Sequence, residues 1–148
     1  MKSKASAGLP QKLVKVSLEG IELDDVNMGK AKIRNTTFEA AEFDDVTWLK
    51  ATLHNTSFER ARLDDVAFTK AEIHNASFKS SKLDDVTFAK ARIENASFAE
   101  AELDDVDFKD VTISNSSLAG MKIEGCSIEG LTIDGVRIDE LLKEKRKG

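Results

Sequence analysis

Two histidines are the first residues in this chain whose type and spacing could support chemistry. His54 and His74 lie 20 residues apart, and each is followed by an asparagine. Paired imidazoles can bind zinc or transfer protons, but a zinc centre needs at least three protein ligands. The equivalent positions before and after the pair are Arg34 and Glu94. We therefore expect solvent-exposed corner histidines, and we assign no catalytic, cofactor-binding or metal-binding residue.

The single cysteine, Cys126, offers little covalent chemistry. One cysteine cannot form an internal disulfide, and no group of cysteines and histidines has zinc-finger spacing. Cys126 occupies a position that holds small residues elsewhere in the chain's five-residue repeat, so we expect a buried, inert thiol. No phosphate-binding loop, nucleotide-binding glycine motif or Ser-His-Asp arrangement is present. We expect a protein that is not an enzyme, in a reducing, cytoplasmic setting.

Paired aspartates recur along the chain within the phrase Asp-Asp-Val. Outward carboxylates on a flat surface converge poorly on a cation, so we expect no specific calcium or magnesium site. Their charge instead suits contact with a basic partner. The residues of this predicted partner-binding surface, which we call the acidic face, are Asp24, Asp25, Asp44, Asp45, Asp64, Asp65, Asp84, Asp85, Asp104 and Asp105.

A repeat that covers most of the chain determines where these residues lie. The aspartate pairs return every 20 residues, and from Leu13 onward every fifth residue is large and apolar. A second series, two residues earlier in each five, holds small residues or valine. The large side chains that we predict to fill the core are Leu23, Met28, Ile33, Phe38, Phe43, Trp48, Leu53, Phe58, Leu63, Phe68, Ile73, Phe78, Leu83, Phe88, Ile93, Phe98, Leu103, Phe108 and Ile113.

A period of five matches neither an α-helix nor a simple strand, whose faces repeat every 3.6 and every 2 residues. A short extended segment followed by a turn does match it, because the small and the large residue both point inward and the last two residues turn a corner. Four such sides form a square coil of 20 residues. Stacked coils then pair through backbone hydrogen bonds about 4.8 Å apart.

The pattern of residues 51–55 (ATLHN) and 71–75 (AEIHN) resembles the pentapeptide-repeat family, over roughly Leu13 to Leu141. The resemblance implies an all-β fold, a right-handed quadrilateral parallel β-helix. We expect about six to seven coils and a short C-terminal helical cap. We divide the chain into an N-terminal leader or cap at 1–12, the β-helix at 13–140, and a C-terminal cap and basic tail at 141–148.

Asparagine and glycine mark the corners of the predicted coils. We interpret the asparagines as a structural ladder of side-chain amides. Glycine takes the corner near the end of the chain, which suits a turn with positive φ and predicts a different corner in the last coil. The asparagines are Asn35, Asn55, Asn75, Asn95 and Asn115, and the glycines are Gly120, Gly125, Gly130 and Gly135.

Each end of a solenoid needs a cover, because an open coil exposes backbone edges and apolar side chains. We expect Leu142 to fold over the last coil in a short helical turn. At the other end, Leu9 and Pro10, with Leu13 and Val14, are the residues expected to cover the first coil. Incomplete cover would favour an end-to-end homodimer.

The charge distribution limits the classes of function. The net charge is −5 although both ends are basic, so the middle of the chain is acidic. An acidic barrel repels phosphate, so we expect no direct nucleic-acid binding, and no apolar run is long enough to span a membrane. We predict a scaffold or protein-interaction module whose acidic face meets an unidentified protein with a basic surface.

The family resemblance implies an alternative, since members act as DNA mimics that bind type II topoisomerases such as DNA gyrase and protect them from quinolones. Two carboxylates per coil give one charge per about 2.4 Å, against about 1.7 Å for duplex DNA. Against this alternative, the rod is only about 30 Å long and no loop interrupts the repeats. A column of lysines also dilutes the acidity; this lysine column consists of Lys30, Lys50, Lys70 and Lys90.

Two further readings stay open. In the first, the acidic face is merely solvated and is partly neutralised by the lysine column, Arg62 and Lys82. In the second, the regular repeat reflects an engineered or consensus rod.

Overall fold

The chain winds into a parallel β-solenoid of about six turns and ends in a helix. The computed structural model describes the backbone of residues 4–5, 12–14 and 17–147, and the side chains of residues 17–145. The elements are β1 (Lys4–Ala5), β2 (Lys12–Val14), β3 (Glu22–Asn27), β4 (Lys32–Thr37), β5 (Glu42–Thr47), β6 (Thr52–Ser57), β7 (Arg62–Ala67), β8 (Glu72–Ser77), β9 (Lys82–Thr87), β10 (Arg92–Glu94), β11 (Glu102–Asp104), β12 (Thr112–Ser114), β13 (Lys122–Glu124), β14 (Thr132–Ile133), β15 (Val136–Arg137) and α1 (Ile138–Lys147).

The strands form two ladders that run along the solenoid axis. One sheet has the order β1-β3-β5-β7-β9-β11-β13, and the other has the order β15-β14-β12-β10-β8-β6-β4-β2. All pairs are parallel except the last, in which β15 runs antiparallel to β14. From β2 onward the parallel register joins residues 20 apart, as Leu63 with Leu83. Chemically equivalent side chains therefore stack in columns.

Each coil has four sides, and each side has one large residue at its centre that points inward. The first side carries the Leu23 column, the second the Met28 column, the third the Ile33 column and the fourth the Phe38 column. The corner residue that ends each side has a positive φ, near 55° at Asp25 and 61° at Lys30. Such values cost a non-glycine residue about 1–2 kcal/mol, so packing and the ladder bonds must hold the corners in place.

The prediction of a different corner in the last coil is correct at one place, where Asp134 and Gly135, with φ 48° and 82°, join β14 to its antiparallel partner β15. The other glycine corners keep the backbone of the middle coils. Gly125 has φ 60° and Gly120 has φ 69°, close to the 54° of Asn95. The same left-handed backbone thus recurs with or without glycine. The reason is geometric, since every side must turn through the same angle to close a square coil.

Two kinds of corner alternate around each coil. At Lys30 and Ala40 a hydrogen-bonded turn closes the corner, with the Ala31 N–H donating to the Met28 carbonyl at 3.1 Å. At Asp25 and Asn35 the corner lies inside strands β3 and β4, so the ladder itself bends. The paired aspartates as far as Asp84 and Asp85 therefore sit on bent but continuous strands, whereas β11 ends at Asp104.

The core is a solid column of side chains. Every large residue that we predicted to point inward from Leu23 to Ile113 is buried. On the fourth side, Phe58 and Phe78 stack with ring centroids 4.9 Å apart and planes 4° apart, and on the second side Phe68 and Phe88 stack at 5.0 Å and 5°. Rings from the two sides meet edge to face, as Phe68 meets Phe78 at 90°. Aromatic contacts of both kinds stabilise the column beyond its buried area.

The C-terminal end differs from the predicted cap. The helix α1 begins at Ile138, and Leu142 is 37% exposed, so Leu142 does not cover the last coil. Ile138 packs against the core instead, and its N–H donates to the Leu131 carbonyl at 2.9 Å. Two positions of the inward series near this end are open to solvent, since Ile123 and Val136 are 40% and 48% exposed, although Leu131 is buried.

The N-terminal segment lies mostly outside the described residues, and so does its predicted cover of Leu9, Pro10, Leu13 and Val14 side chains. The backbone of Lys4–Ala5 pairs with β3, and that of Lys12–Val14 pairs with β4. The two ladders thus extend into residues 1–12. Among the described residues, no helix is long and apolar enough to cross a membrane.

Candidate functional site: the acidic face

The local sequence forces the acidic face outward. In the segment from Leu63 to Val66, both apolar residues are buried, at 0% and 2% exposed, so the two aspartates between them must point to solvent. Asp64 lies on β7 and pairs in register with Asp44 and Asp84. Asp65 occupies the corner, with φ 56°. Each coil therefore contributes one carboxylate on the first side and one at the edge between the first and second sides.

The central carboxylates of the acidic face make no direct ion pair with the cations that we expected beside them. Among the described side chains, no ion pair joins Asp44, Asp64 or Asp84 to Arg62, Lys82 or the lysine column. The reading of a self-neutralised surface therefore lacks its expected contacts.

The carboxylates of the acidic face affect one another. The pKa of Asp65 is raised above the ordinary value, by partial desolvation first and then by the charges of Asp45 and Asp85 on the neighbouring coils. Like charges in adjacent turns oppose ionisation of the central carboxyl. The charges of Asp45 and Asp85 thus add to the effect of desolvation at Asp65.

The lysine column lies one full side away. Lys30 and Lys50 are corner residues with φ 61° and 59°, at the edge between the second and third sides. Beside the lysine column, the outward positions of the second side that separate the two columns are uncharged, as at Thr47 and Ala67. The acidic and basic columns thus run parallel along opposite edges of one flat side.

One acidic residue of this surface was missed at the sequence level. Glu124 on β13 pairs in register with Asp104 and is exposed, so it continues the acidic face into the last strand of its sheet. The signal was present, because Glu124 falls at the repeat position of the first aspartate. The phrase Asp-Asp-Val does not include Glu124, because residues 124–126 are EGC.

The two histidines lie on strands and not at corners. His54 and His74 are register partners on β6 and β8, with ring centroids 5.1 Å apart and ring planes 37° apart. Both are half-buried, which corrects the expectation of fully exposed corner residues. His74 Nδ1 lies 3.9 Å from Glu94 Oε2. Within the described residues, no group of three or more His, Cys, Asp and Glu side chains is gathered closely enough to hold a metal ion.

Cys126 is half-buried and not fully buried as predicted. Its Sγ accepts from the Val106 N–H at 3.4 Å and donates to the Glu124 carbonyl at 3.1 Å. Desolvation is the main cause that raises the pKa of this thiol above its ordinary value. A protonated thiol is a poor nucleophile, so the site offers little reactivity at neutral pH.

The asparagine corners contain one hydrogen bond of the predicted amide ladder. Asn55 Nδ2 donates to Asn35 Oδ1 at 2.9 Å, across one coil. All five asparagines have φ between 49° and 54°. Asparagine tolerates this backbone region better than most residues, so the column has a structural role.

Solved structures of similar shape come from several sources. Rfr23, a pentapeptide repeat protein from the cyanobacterium Cyanothece 51142, is 10% identical, with 89% of this chain and 88% of that chain covered and a TM-score of 0.40. HetL, a pentapeptide repeat protein involved in heterocyst differentiation regulation in Nostoc sp. strain PCC 7120, is 11% identical, with coverages of 83% and 87% and a TM-score of 0.30. Trypsin-treated QnrB1, a plasmid-mediated fluoroquinolone resistance protein, is 13% identical, with coverages of 99% and 96% and a TM-score of 0.37.

The sequence itself identifies the family. None of the curated proteins matches this chain. A family model described as the pentapeptide repeat region matches residues 61–138, which is more than half of the chain. Together with the five-residue register and the square, filled solenoid, this match means that the chain belongs to the pentapeptide-repeat family.

Proposed function

We propose that this protein is a non-enzymatic scaffold whose acidic face binds a basic surface on a partner protein. The observation that carries the proposal is the unbroken column of paired aspartates, in which desolvation, and then the charges of Asp45 and Asp85, raise the pKa of Asp65. Two carboxylates stacked about 5 Å apart repel by about 0.8 kcal/mol even in water. A cationic partner would relieve this repulsion along the whole face at once.

The interior of the solenoid supports a role that does not involve catalysis. The aromatic columns fill the space in which a buried substrate site could form, as the 4.9 Å stacking of Phe78 and Phe98 illustrates. The surface grooves beside Asp44 and Asp84 are lined by outward side chains of neighbouring coils. A partner would therefore meet a flat, rigid and charged surface, which favours electrostatic steering over deep insertion.

A charge-reversal experiment tests this proposal. The variant Asp44→Lys/Asp64→Lys/Asp84→Lys reverses the centre of the acidic face. The matched control, Glu19→Lys/Glu59→Lys/Glu100→Lys, makes the same charge change at or next to the corner between the fourth and first sides. We expect immobilised wild-type and control protein to retain a basic partner that the first variant loses. Retention of the same partner by all three proteins would contradict the proposal.

DNA mimicry is the second candidate function. It is favoured by one observation, the spacing of about 2.4 Å per carboxylate along the axis, which approaches that of duplex phosphates. The continuation of the column through Glu124 lengthens the acidic surface by one coil. The partner class would then be a DNA-binding protein such as a type II topoisomerase.

Gyrase supercoiling assays, with and without a quinolone, separate the two candidates. The mimic predicts that micromolar protein inhibits supercoiling or protects the enzyme from the drug, and that the Asp44→Lys/Asp64→Lys/Asp84→Lys variant has no such effect. The scaffold function predicts that neither the wild type nor the variant changes the supercoiling activity of gyrase. An effect that is equal for both proteins would exclude the acidic face as its source.

We further propose that two copies associate end to end through the C-terminal coil, in a reducing cytoplasmic setting that suits a single free thiol. Ile123 is 40% exposed on β13, which has a partner on only one side, and Val136 is 48% exposed. Unpaired edges with apolar side chains favour association. Light scattering that gives a monomer at all concentrations would contradict the dimer.

A further inference from the structure

We propose that two copies of this chain associate side by side, with the second side of one copy facing the second side of the other. In this pair, the corner aspartates of each copy contact the lysine column of its partner. The inference rests on the proposed function, because the acidic face supplies the carboxylates, and it assigns the basic surface to a second copy of this chain. These corner aspartates, which we call the acidic edge, are Asp25, Asp45, Asp65 and Asp85.

The second side carries opposite charges along its two edges. Asp65 lies at the corner where this side begins, with φ 56°, and Lys70 lies at the corner where it ends, with φ 59°. Successive coils repeat both corners every 20 residues, so the aspartates and the lysines rise along the solenoid with the same spacing of about 4.8 Å. Every side chain of the acidic edge and of the lysine column is exposed.

The arrangement of charges is complementary to itself in one orientation. A twofold axis parallel to the solenoid turns the acidic edge of one copy onto the lysine column of the other, and equivalent coils stay side by side. Asp65 of each copy then faces Lys70 of the other. A twofold axis across the solenoid would instead place aspartates against aspartates, which like-charge repulsion disfavours. The first orientation gives two Asp–Lys contacts in each of four coils, in an isologous interface of the kind most homodimers use.

Both edges are available for contact with a second copy. Among the described side chains, no ion pair involves Asp65, Lys50, Lys70 or any other member of the acidic edge and the lysine column. The outward residue between the two edges is uncharged in these four coils, as at Ala67. Leu49, which is 40% exposed beside Lys50, lies on the same side and would be covered in the pair. The surface between the charged edges can therefore approach its own copy closely.

The matched surface ends at the fifth coil. There Asp110 takes the place of the lysine, and Asp107 occupies the outward position between the edges. Contact is therefore confined to four coils, or about 20 Å of the solenoid. A single side of this length is smaller than a stable interface, which buries about 1,200 Å² or more, and each exposed ion pair contributes little. We expect a weak dimer that dissociates at high salt.

Charge-swapped variants test this arrangement. Asp65→Lys/Asp85→Lys makes both edges basic in two coils, and Lys70→Asp/Lys90→Asp makes both edges acidic. Both residue types already occupy such corners, at φ between 55° and 62°, so the substitutions suit the backbone. Pairwise dissociation constants at low ionic strength, with one protein immobilised, are the measurement. We expect each variant to bind itself about tenfold more weakly than the wild type binds itself, and the two variants to bind each other at least as tightly as the wild type does.

A charge-matched control separates specific contact from overall attraction. Arg60→Asp/Lys79→Asp has the same net charge as the lysine variant, but it changes exposed residues away from the second side. It should bind the aspartate variant about tenfold more weakly than the lysine variant does. The end-to-end contact through the C-terminal coil contains none of these residues, so it contributes equally to every pair. Equal binding of the aspartate variant by the lysine variant and by the control would overturn the side-by-side dimer.

A second readout distinguishes this inference from the proposed function. Carbodiimide treatment of mixed isotope-labelled and unlabelled wild type should join Asp65 of one copy to Lys70 of the other at low salt. The lysine variant keeps the acidic face, so it should still retain a basic partner that Asp44→Lys/Asp64→Lys/Asp84→Lys loses. Retention of that partner without any crosslink between copies would overturn the side-by-side dimer and leave the proposed function intact.

Discussion

Trp48 is the residue of the aromatic core whose burial carries a free-energy cost. Its indole Nε1–H is buried without a hydrogen-bond partner among the described residues. The ring still stacks on Phe68, with centroids 6.0 Å and planes 6° apart, and meets Phe58 edge to face at 89°. Packing therefore compensates for an unsatisfied donor, which otherwise costs about 1–3 kcal/mol when buried.

Phenylalanine should replace Trp48 with little loss. The variant Trp48→Phe removes the unsatisfied donor and extends the phenylalanine column, so we expect the free energy of unfolding to stay within about 1 kcal/mol of the wild-type value. Trp48→Ala should instead cost about 3–5 kcal/mol through the cavity that it leaves. Because Trp48 is the single tryptophan, circular dichroism is the measurement of choice. Equal losses for both variants would contradict this account of the indole.

Asp65 is the residue of the acidic face whose raised pKa predicts a loss of stability at neutral pH. A carboxyl whose folded-state pKa is raised contributes stability at low pH, and that contribution is lost as pH rises through the raised pKa. Asp65→Asn removes the charge and suits the positive φ of the corner, so we expect it to stabilise the protein by up to about 1 kcal/mol at pH 7. The gain should shrink in high salt and near pH 3. Urea unfolding that showed a loss at neutral pH would contradict this sign.

Among the secondary-structure elements, α1 depends on a clamp formed by one carboxylate. Asp139 accepts from the Gly130 N–H at 2.9 Å and from two nitrogens of Arg137 at 3.0 and 2.8 Å. The Arg137 guanidinium, followed by the Gly130 amide, lowers the pKa of Asp139 well below its ordinary value. The clamp therefore fixes the start of the helix to the last coil, while Leu141 and Leu142 remain exposed.

The pH dependence of stability should reveal this clamp. A carboxyl with a lowered folded-state pKa contributes stability that is present above its unfolded pKa and is lost as pH falls through the folded value. Asp139→Asn should therefore lower the melting temperature at pH 7, and its difference from the wild type should narrow at pH 3. Glu144→Gln, on the exposed part of α1, is the matched control and should change neither value. A normal melting temperature for Asp139→Asn at pH 7 would show that the clamp is dispensable.

The sequence predicted the repeating elements far better than the ends. The five-residue register constrains each inward residue from both neighbouring coils, so a column such as Phe58, Phe78 and Phe98 follows from spacing alone. At the C-terminal end of the described coils, the contact of Asp139 with Gly130 depends on how one short segment folds back. Spacing contains no information about that contact. From the sequence we therefore expected Leu142 to make the covering contact that Ile138 makes in the structure.

For the whole molecule, stability depends on the continuity of the core column. Phe68 stacks between Trp48 and Phe88 and is fully buried. A carboxylate there would be desolvated with no partner, and the lost ring would leave a cavity, so we expect Phe68→Asp to abolish folding. Far-UV circular dichroism and solubility check this outcome. The substitution Thr69→Asp, at a half-buried outward position next to Phe68, is the control and should fold normally. A folded Phe68→Asp protein would contradict the inward assignment.

The position of the candidate site could be predicted from the sequence, but its ion pairs could not. Alternation of buried Leu63 and Val66 with the aspartates between them placed the acidic face correctly on the outside. The expected pairing of that face with Arg62 and Lys82 required side-chain geometry that a repeat pattern does not contain. Long cationic side chains gain little from exposed ion pairs, so proximity in the sequence pattern did not ensure contact.

The most direct test of the central claim is the affinity of a labelled lysine-rich peptide for three proteins, measured by fluorescence anisotropy. The proteins are the wild type, the variant Asp44→Asn/Asp64→Asn/Asp84→Asn, and the equally charged control Glu19→Gln/Glu59→Gln/Glu100→Gln. If the acidic face is the binding surface, the aspartate variant binds about tenfold more weakly while the control stays within about twofold of the wild type. Equal weakening of both variants would mean that net charge alone attracts the peptide, and the acidic face would not be a binding site.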